Sequence, residues 1–169
     1  MNDKPERLFI GVPLREDARE SIARSLPKNL PGKPVPAENW HFTLRFLGAT
    51  AADARDKIVE RLKTAACGAP FTVRFSELGA FPKPGRARIL WVGIDEGAAR
   101  SVGFAAEAKP FKPHLTISRI DPPVSVSTLV ASKPSFGARM TVDSVVLYRS
   151  RLGGGPVRYE EIATIALGR

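Results

Sequence analysis

The chain has 169 residues and only two histidines. Both stand in the same short pattern: His41-Phe42-Thr43-Leu44-Arg45 and His114-Leu115-Thr116-Ile117-Ser118-Arg119. Each reads His, apolar, Thr, apolar. With eight threonines in 169 residues, two such His-x-Thr pairs arise by chance about 0.2% of the time. Two histidines in matching settings suit paired acid–base work, because imidazole titrates near pH 6.5 and one ring can be charged while the other is neutral. Threonine hydroxyls both donate and accept hydrogen bonds, which suits phosphate oxygens. Nearby basic residues would offset the negative charge that gathers in a transition state. Together these parts suggest phosphoryl transfer driven by protons.

Both copies have strand character. Phe42, Leu44 and Phe46 alternate with His41, Thr43 and Arg45, and Leu115 and Ile117 alternate with His114, Thr116 and Ser118. Successive side chains of a strand point to opposite faces, so each copy shows one His and one Thr, about 6–7 Å apart, on one face. The plain alternative is a pair of structural histidines on half-exposed strands, and a duplication that uses every histidine in the chain argues against it.

Other catalytic templates fail. There is no H-E-x-x-H, no pair of cysteines, no third histidine for a zinc site, no G-x-x-x-x-G-K-[ST] phosphate loop and no G-x-S-x-G elbow. No cofactor or metal is expected.

The net charge of +9, from 26 Lys and Arg against 17 Asp and Glu, suits an anionic partner such as RNA or a nucleotide. Hydrophobic residues at 43% are ordinary for a soluble globular protein. The single Cys67 excludes an intrachain disulfide and fits a reducing compartment, hence a cytoplasmic location. No apolar run is long enough to span a membrane, and the first residues do not read as a signal peptide. A monomer is expected.

The elements that must position the motifs follow from periodicity. Arg7 to Pro13 reads as a buried strand and Arg15 to Leu26 as an amphipathic helix, with a Pro-rich loop from Lys33 to Asn39 before the first motif. Gly48 closes the first motif strand. Thr50 is expected to cap a helix carrying Ala54, Ile58, Leu62 and Ala65. A strand over Phe71 to Ser76, a loop over Gly79 to Gly85 and a strand over Ile89 to Ile94 come next. After the second motif, Asp121-Pro122-Pro123 predicts a turn, Ser125 to Ser132 a short helix, Arg139 to Tyr148 one long strand, and Val157 to Leu167 the last. About seven strands and two or three helices make the fold α+β, and residues 1–169 read as a single domain.

With these residues in view, the chain resembles the two-histidine phosphoesterases, and among them the RNA 2′,3′-cyclic phosphodiesterases, historically called 2′-5′ RNA ligases. Besides the two motifs, Arg7-Leu8-Phe9-Ile10, Val35-Pro36-Ala37-Glu38-Asn39, Leu78-Gly79-Ala80-Phe81-Pro82, Leu90-Trp91, Pro110-Phe111-Lys112-Pro113 and Val145 to Ser150 resemble that family's segments. The resemblance implies two pseudo-symmetric strand–helix–strand lobes with mainly antiparallel sheets, intertwined around a central cleft, one motif in each. It implies hydrolysis of RNA 2′,3′-cyclic phosphate to 2′-phosphate, with 2′-5′ RNA ligation as the companion reaction. By the same resemblance His41 is the proton donor, His114 the proton acceptor, Thr43 and Thr116 hold the phosphate, and Arg119, Phe46 and Arg45 bind substrate. Strict alternation puts Arg119 on the face opposite His114, so the strand must end or bulge by Ser118 for Arg119 to serve.

One departure stands out. Between Asp95 and Glu107 the family's long helix is short by about 10–20 residues near Arg100-Ser101, less than a crossover normally needs. A chain discontinuity is expected there, with consecutive Cα atoms farther apart than the ~3.8 Å of a trans peptide. Two other functions share the scaffold: a catalytically idle RNA-end binding module, and a phosphoesterase for a small cyclic-nucleotide metabolite.

Overall fold

The computed structural model describes residues 4–65, 68–95, 112–155 and 157–168; the stretch around Arg100-Ser101 lies outside the described residues, and with it the expected discontinuity. In chain order the elements are β1 (Glu6–Pro13), α1 (Glu16–Ser25), β2 (Lys33–Pro34), a 3-10 turn (Ala37–Asn39), β3 (His41–Thr50), α2 (Ala52–Ala65), β4 (Phe71–Lys83), β5 (Arg86–Ile94), β6 (His114–Val124), α3 (Ser127–Ala131), β7 (Arg139–Val142), β8 (Ser144–Arg151) and β9 (Arg158–Ala166).

Every described strand pair is antiparallel. The strands run β7-β4-β5-β6-β3-β1-β8-β9, and β2 joins β6 off that path. The two motif strands, β3 and β6, are central and pair only at Phe42 and Leu115. On either side of that single contact the sheet splays into two lobes, so the fold is α+β and bilobal. In each lobe the motif strand has one long partner: β1 for β3 and β5 for β6.

Apolar side chains close the other face of the sheet. Leu8, Ile10, Val12, Phe42 and Leu44 from the first lobe meet Leu90, Val92, Leu115 and Ile117 from the second in one continuous core, with Ala18 and Ile22 of α1 and Leu62 of α2 laid over it. At roughly 1.5–3 kcal/mol for each large apolar side chain removed from water, this shared core ties the lobes together.

Several elements depart from the periodicity. The Gly- and Pro-containing stretch over Gly79 to Lys83 is strand rather than loop. It pairs with β5 through a tight turn at Pro84-Gly85, and β7 covers only Phe71 to Arg74, so Pro82 sits where that edge is open and its missing N–H is harmless. The same holds for Pro122 and Pro123, which continue β6 to Val124 beyond the reach of β2. The long strand expected from Arg139 breaks at Asp143, because the chain there leaves β4 in one lobe for β1 in the other. Thr50 ends β3 instead of capping α2; its hydroxyl donates to the Gly48 carbonyl at 3.2 Å.

Candidate active site

His41 opens β3 and His114 opens β6. The 3-10 turn before His41 brings the Asn39 carbonyl to 2.9 Å from His41 Nδ1, and the Lys112 carbonyl lies 2.8 Å from His114 Nδ1. A carbonyl oxygen can only accept, so in both rings Nδ1 carries the proton. The tautomer is thereby set, and Nε2 is left with its lone pair as the nitrogen free to face the cleft. The two histidines are thus prepared in the same way, by the carbonyl two residues upstream.

A cavity of about 500 Å³ between the lobes is lined by His41, Thr43 and Phe46 from β3 and by His114, Thr116 and Arg119 from β6. Neither threonine hydroxyl has a hydrogen-bond partner among the described residues. The presence of Arg119 and Phe46 in the lining comes from two matched bulges. On β3, Thr43 lies opposite Gly11 but Arg45 opposite Ile10, so Leu44 is an extra residue. On β6, Thr116 lies opposite Trp91 but Ser118 opposite Leu90, so Ile117 is extra. Each bulge advances the strand's alternation by one residue. The fifth residue after each histidine, Phe46 and Arg119, therefore returns to the histidine's face. The fourth residue turns away. Arg45 lies opposite the core residue Ile10 and is not in the lining, and Ser118 is buried with its hydroxyl donating to the Pro31 carbonyl at 2.5 Å. Arg45, expected to bind substrate, is thus placed off the cavity by the bulge at Leu44.

The two rings have different neighbours. His41 lies 5.0 Å from the Phe9 ring, 5.8 Å from Tyr148 and 4.8 Å from Tyr159, centroid to centroid. Gly11 leaves room for this bed: a side chain there would meet the Phe42 carbonyl and the Phe9 ring. His114 lies 5.0 Å from Phe81 and 6.1 Å from Trp91, whose ring occupies the space a side chain on Gly79 would need; Lys112 sits 4.7 Å above Trp91. Sequence reading missed Phe9, Tyr148 and Tyr159 as neighbours of His41, because only the β1–β8–β9 register brings them together.

Burial pushes the pKa of His41 below the ordinary value for histidine, against an opposing pull from its bond to Asn39; the Arg119 guanidinium and His114 push it further down. Burial likewise lowers His114, the bond to Lys112 opposes it, and the Lys112 ammonium adds to the fall. Arg119, carried by the second lobe, thus acts electrostatically on the histidine of the first.

Among the described residues no group of three or more His, Cys, Asp and Glu is placed to hold a metal ion, and no helix is long and apolar enough to cross a membrane.

Comparison with known proteins agrees with this geometry. The model of the LigT-like phosphoesterases matches residues 12–91. An RNA 2′,3′-cyclic phosphodiesterase of Escherichia coli (strain K12) is 30% identical over 97% of this chain and 98% of its own. One from Geobacillus stearothermophilus is 33% identical over 97% of this chain, which spans 58% of that relative's length. The crystal structure of Escherichia coli LigT complexed with 3′-AMP superposes with a TM-score of 0.71 at 26% identity, covering 98% of this chain and 99% of that one. The fold and the paired motifs define a two-histidine phosphoesterase. Within that class, the chain belongs to the family of the RNA 2′,3′-cyclic phosphodiesterases.

Proposed function

We propose that this protein hydrolyses RNA 2′,3′-cyclic phosphate ends to 2′-phosphates by acid–base catalysis from two histidines. Water attacks phosphorus in line with the 3′-oxygen. His114 takes the proton from water, the bond from phosphorus to the 3′-oxygen breaks, and His41 gives that oxygen its proton. In-line displacement needs one proton-transfer group on each side of phosphorus, and a histidine on each wall of one cleft meets that need. Thr43 and Thr116 bind the phosphate oxygens, Arg119 offsets their charge, and Phe46 offers a ring to the base. The same displacement, with an RNA 5′-hydroxyl in place of water, gives a 2′-5′ junction through the same site. The observation that carries the reading is the pair of histidines with their Nδ1 protons fixed and their Nε2 atoms free beside two unpaired threonine hydroxyls.

Cations lower both rings, Arg119 at His41 and Lys112 at His114, so each favours its neutral form until an anionic phosphate binds between them. The order of the two, His41 as donor and His114 as acceptor, follows the family resemblance.

The test is product analysis on an oligonucleotide ending in a 2′,3′-cyclic phosphate, with and without chelator. A 2′-phosphate product, formed equally in both, is expected; a 3′-phosphate product, or activity that chelator removes and a divalent ion restores, refutes the mechanism. The same reading takes the protein as a cytoplasmic monomer whose RNA substrate is bound without a cofactor, which light scattering on the purified protein checks for the oligomeric state.

A further inference from the structure

The first lobe's wall of the cavity continues well past the phosphate position. Phe46 and Leu152, 68% and 59% exposed, are two of only three exposed large hydrophobic residues among the described residues, and both line this cavity. An aromatic or apolar side chain held open beside an anion site offers a stacking platform to a nucleobase.

At the far end of the same wall stands Arg7. It lies opposite Ala49 and Ser150, four residues along β1 from Gly11, the partner of Thr43, or about 13 Å of strand. Arg7 lines the cavity and makes no ion pair among the described residues. The carboxylates near it are committed elsewhere: Glu6 bonds Arg149 and Arg55, and Glu160 bonds Arg149 and Arg151. Glu6 precedes Arg7 on the strand and so faces the other way. Among the described residues Arg7 is left as an uncompensated cation over a cleft wall that also carries Phe46 and Leu152.

The chemistry gives this wall a direction. Both oxygens of a cyclic phosphate belong to one ribose, and the 3′-oxygen must meet the proton donor. With His41 as donor, the ribose lies on the first lobe, its base over Phe46, and its 5′ side toward Arg7. We infer that Arg7 binds the phosphate one nucleotide 5′ of the reacting end, so that the site selects a polynucleotide over a mononucleotide. This rests on the reading of His41 as donor to an RNA end.

The experiment compares binding of a short 5′-labelled oligoribonucleotide carrying a 2′-phosphate end with that of a nucleoside 2′-phosphate, in the wild type, R7Q, R7K and K33Q, as a function of salt. The ratio of the two affinities is expected to fall about tenfold in R7Q, the worth of one charge-assisted contact, and to recover largely in R7K. The slope of log affinity against log salt for the oligonucleotide should drop by about 0.7, one phosphate contact on a single strand. An unchanged ratio in R7Q overturns the inference. So does a ratio that falls in K33Q instead, because Lys33 pairs with Arg119 at the opposite end and the chain would then run the other way. The readout is binding, so loss of this inference is separable from failure of the turnover assay that tests the hydrolytic reading.

Discussion

The two halves of the cleft share a backbone and differ in what they hang on it. Both histidines bond the carbonyl two residues upstream, both threonine hydroxyls lack a partner among the described residues, and both strands bulge at the residue after threonine. Yet the slot that the bulge turns inward holds Phe46 in one half and Arg119 in the other. The first histidine lies on three aromatic rings, the second beside two rings and a lysine. In the proposed mechanism a symmetric backbone supplies two alike proton-transfer groups, and the side chains around them make the halves unequal: Phe46 offers one half a face for a nucleoside, and Arg119 offers the other a charge for phosphate.

The strongest way to break this comparison is to remove either histidine. His41→Ala and His114→Ala should each cost about 10²–10⁴ in turnover, and the double variant less than the product of the two losses. A substrate whose 3′-oxygen is replaced by sulfur sharpens the result. A thiolate, with a pKa near 8.5, leaves without help from an acid, so His41→Ala should recover activity on it and His114→Ala should not. Recovery by the wrong variant reverses the assignment of donor and acceptor.

Next in size are the unequal slots. Arg119→Ala should lower turnover by about 10–10², as loss of a charge-assisted contact to phosphate. It should also raise the pKa of His41, because the Arg119 cation depresses it. That displacement is readable by NMR titration of the His41 ring, with the His114 resonance moving less. Phe46→Ala should act on KM for nucleotides, at about 1–3 kcal/mol for a lost base platform. Equal effects of the two changes on kcat and KM would erase the distinction between the halves.

These slots also show where sequence reading stopped. Periodicity found the buried faces of β1, α1, β3 and β6, and the repeat found the histidines and threonines. Alternation alone sends Phe46 inward to the core and Arg45 into the cleft; the structure does the reverse. A bulge is a property of two strands in register, and nothing in the spacing of one strand announces it. The sequence demanded such a break at Ser118 only because Arg119 was already under suspicion. Strand edges were illegible for a related reason. Whether Pro82 or Pro122 ends a strand depends on whether a neighbour needs the missing N–H, and that is a fact about topology.

Smaller effects follow from the shared features. Thr43→Val and Thr116→Val should each reduce phosphate affinity several-fold, about 0.5–1.5 kcal/mol for one neutral hydrogen bond, measured with inorganic phosphate as competitive inhibitor. Smallest is the effect on stability. Both histidines have folded pKa values below the ordinary 6.5, so the unfolded chain binds more protons as pH falls. Their contribution is fully present above pH 6.5 and is lost as pH falls toward the folded values. The wild type should therefore lose more Tm between pH 8 and pH 5 than the His41→Ala, His114→Ala double variant does. An equal loss in both would place the acid sensitivity elsewhere.

The bulges at Leu44 and Ile117 have a consequence for how this chain tolerates change in length. Each lets two consecutive residues share one place on the core side, with the apolar one filling it. Deleting Leu44 leaves Arg45 opposite Ile10 and Phe46 opposite Phe9 but removes the buried leucine that fills the core beside them, and deleting Ile117 removes a fully buried side chain together with the carbonyl that accepts from the Val35 N–H. A single-residue gap in either strand is therefore a core lesion wearing the appearance of a surface edit. Substitution at position 46 or 119, by contrast, rewrites what the cleft presents and leaves the framework alone. The fifth residue after each histidine is thus a matter for the site, and the count of residues that leads to it is a matter for the fold.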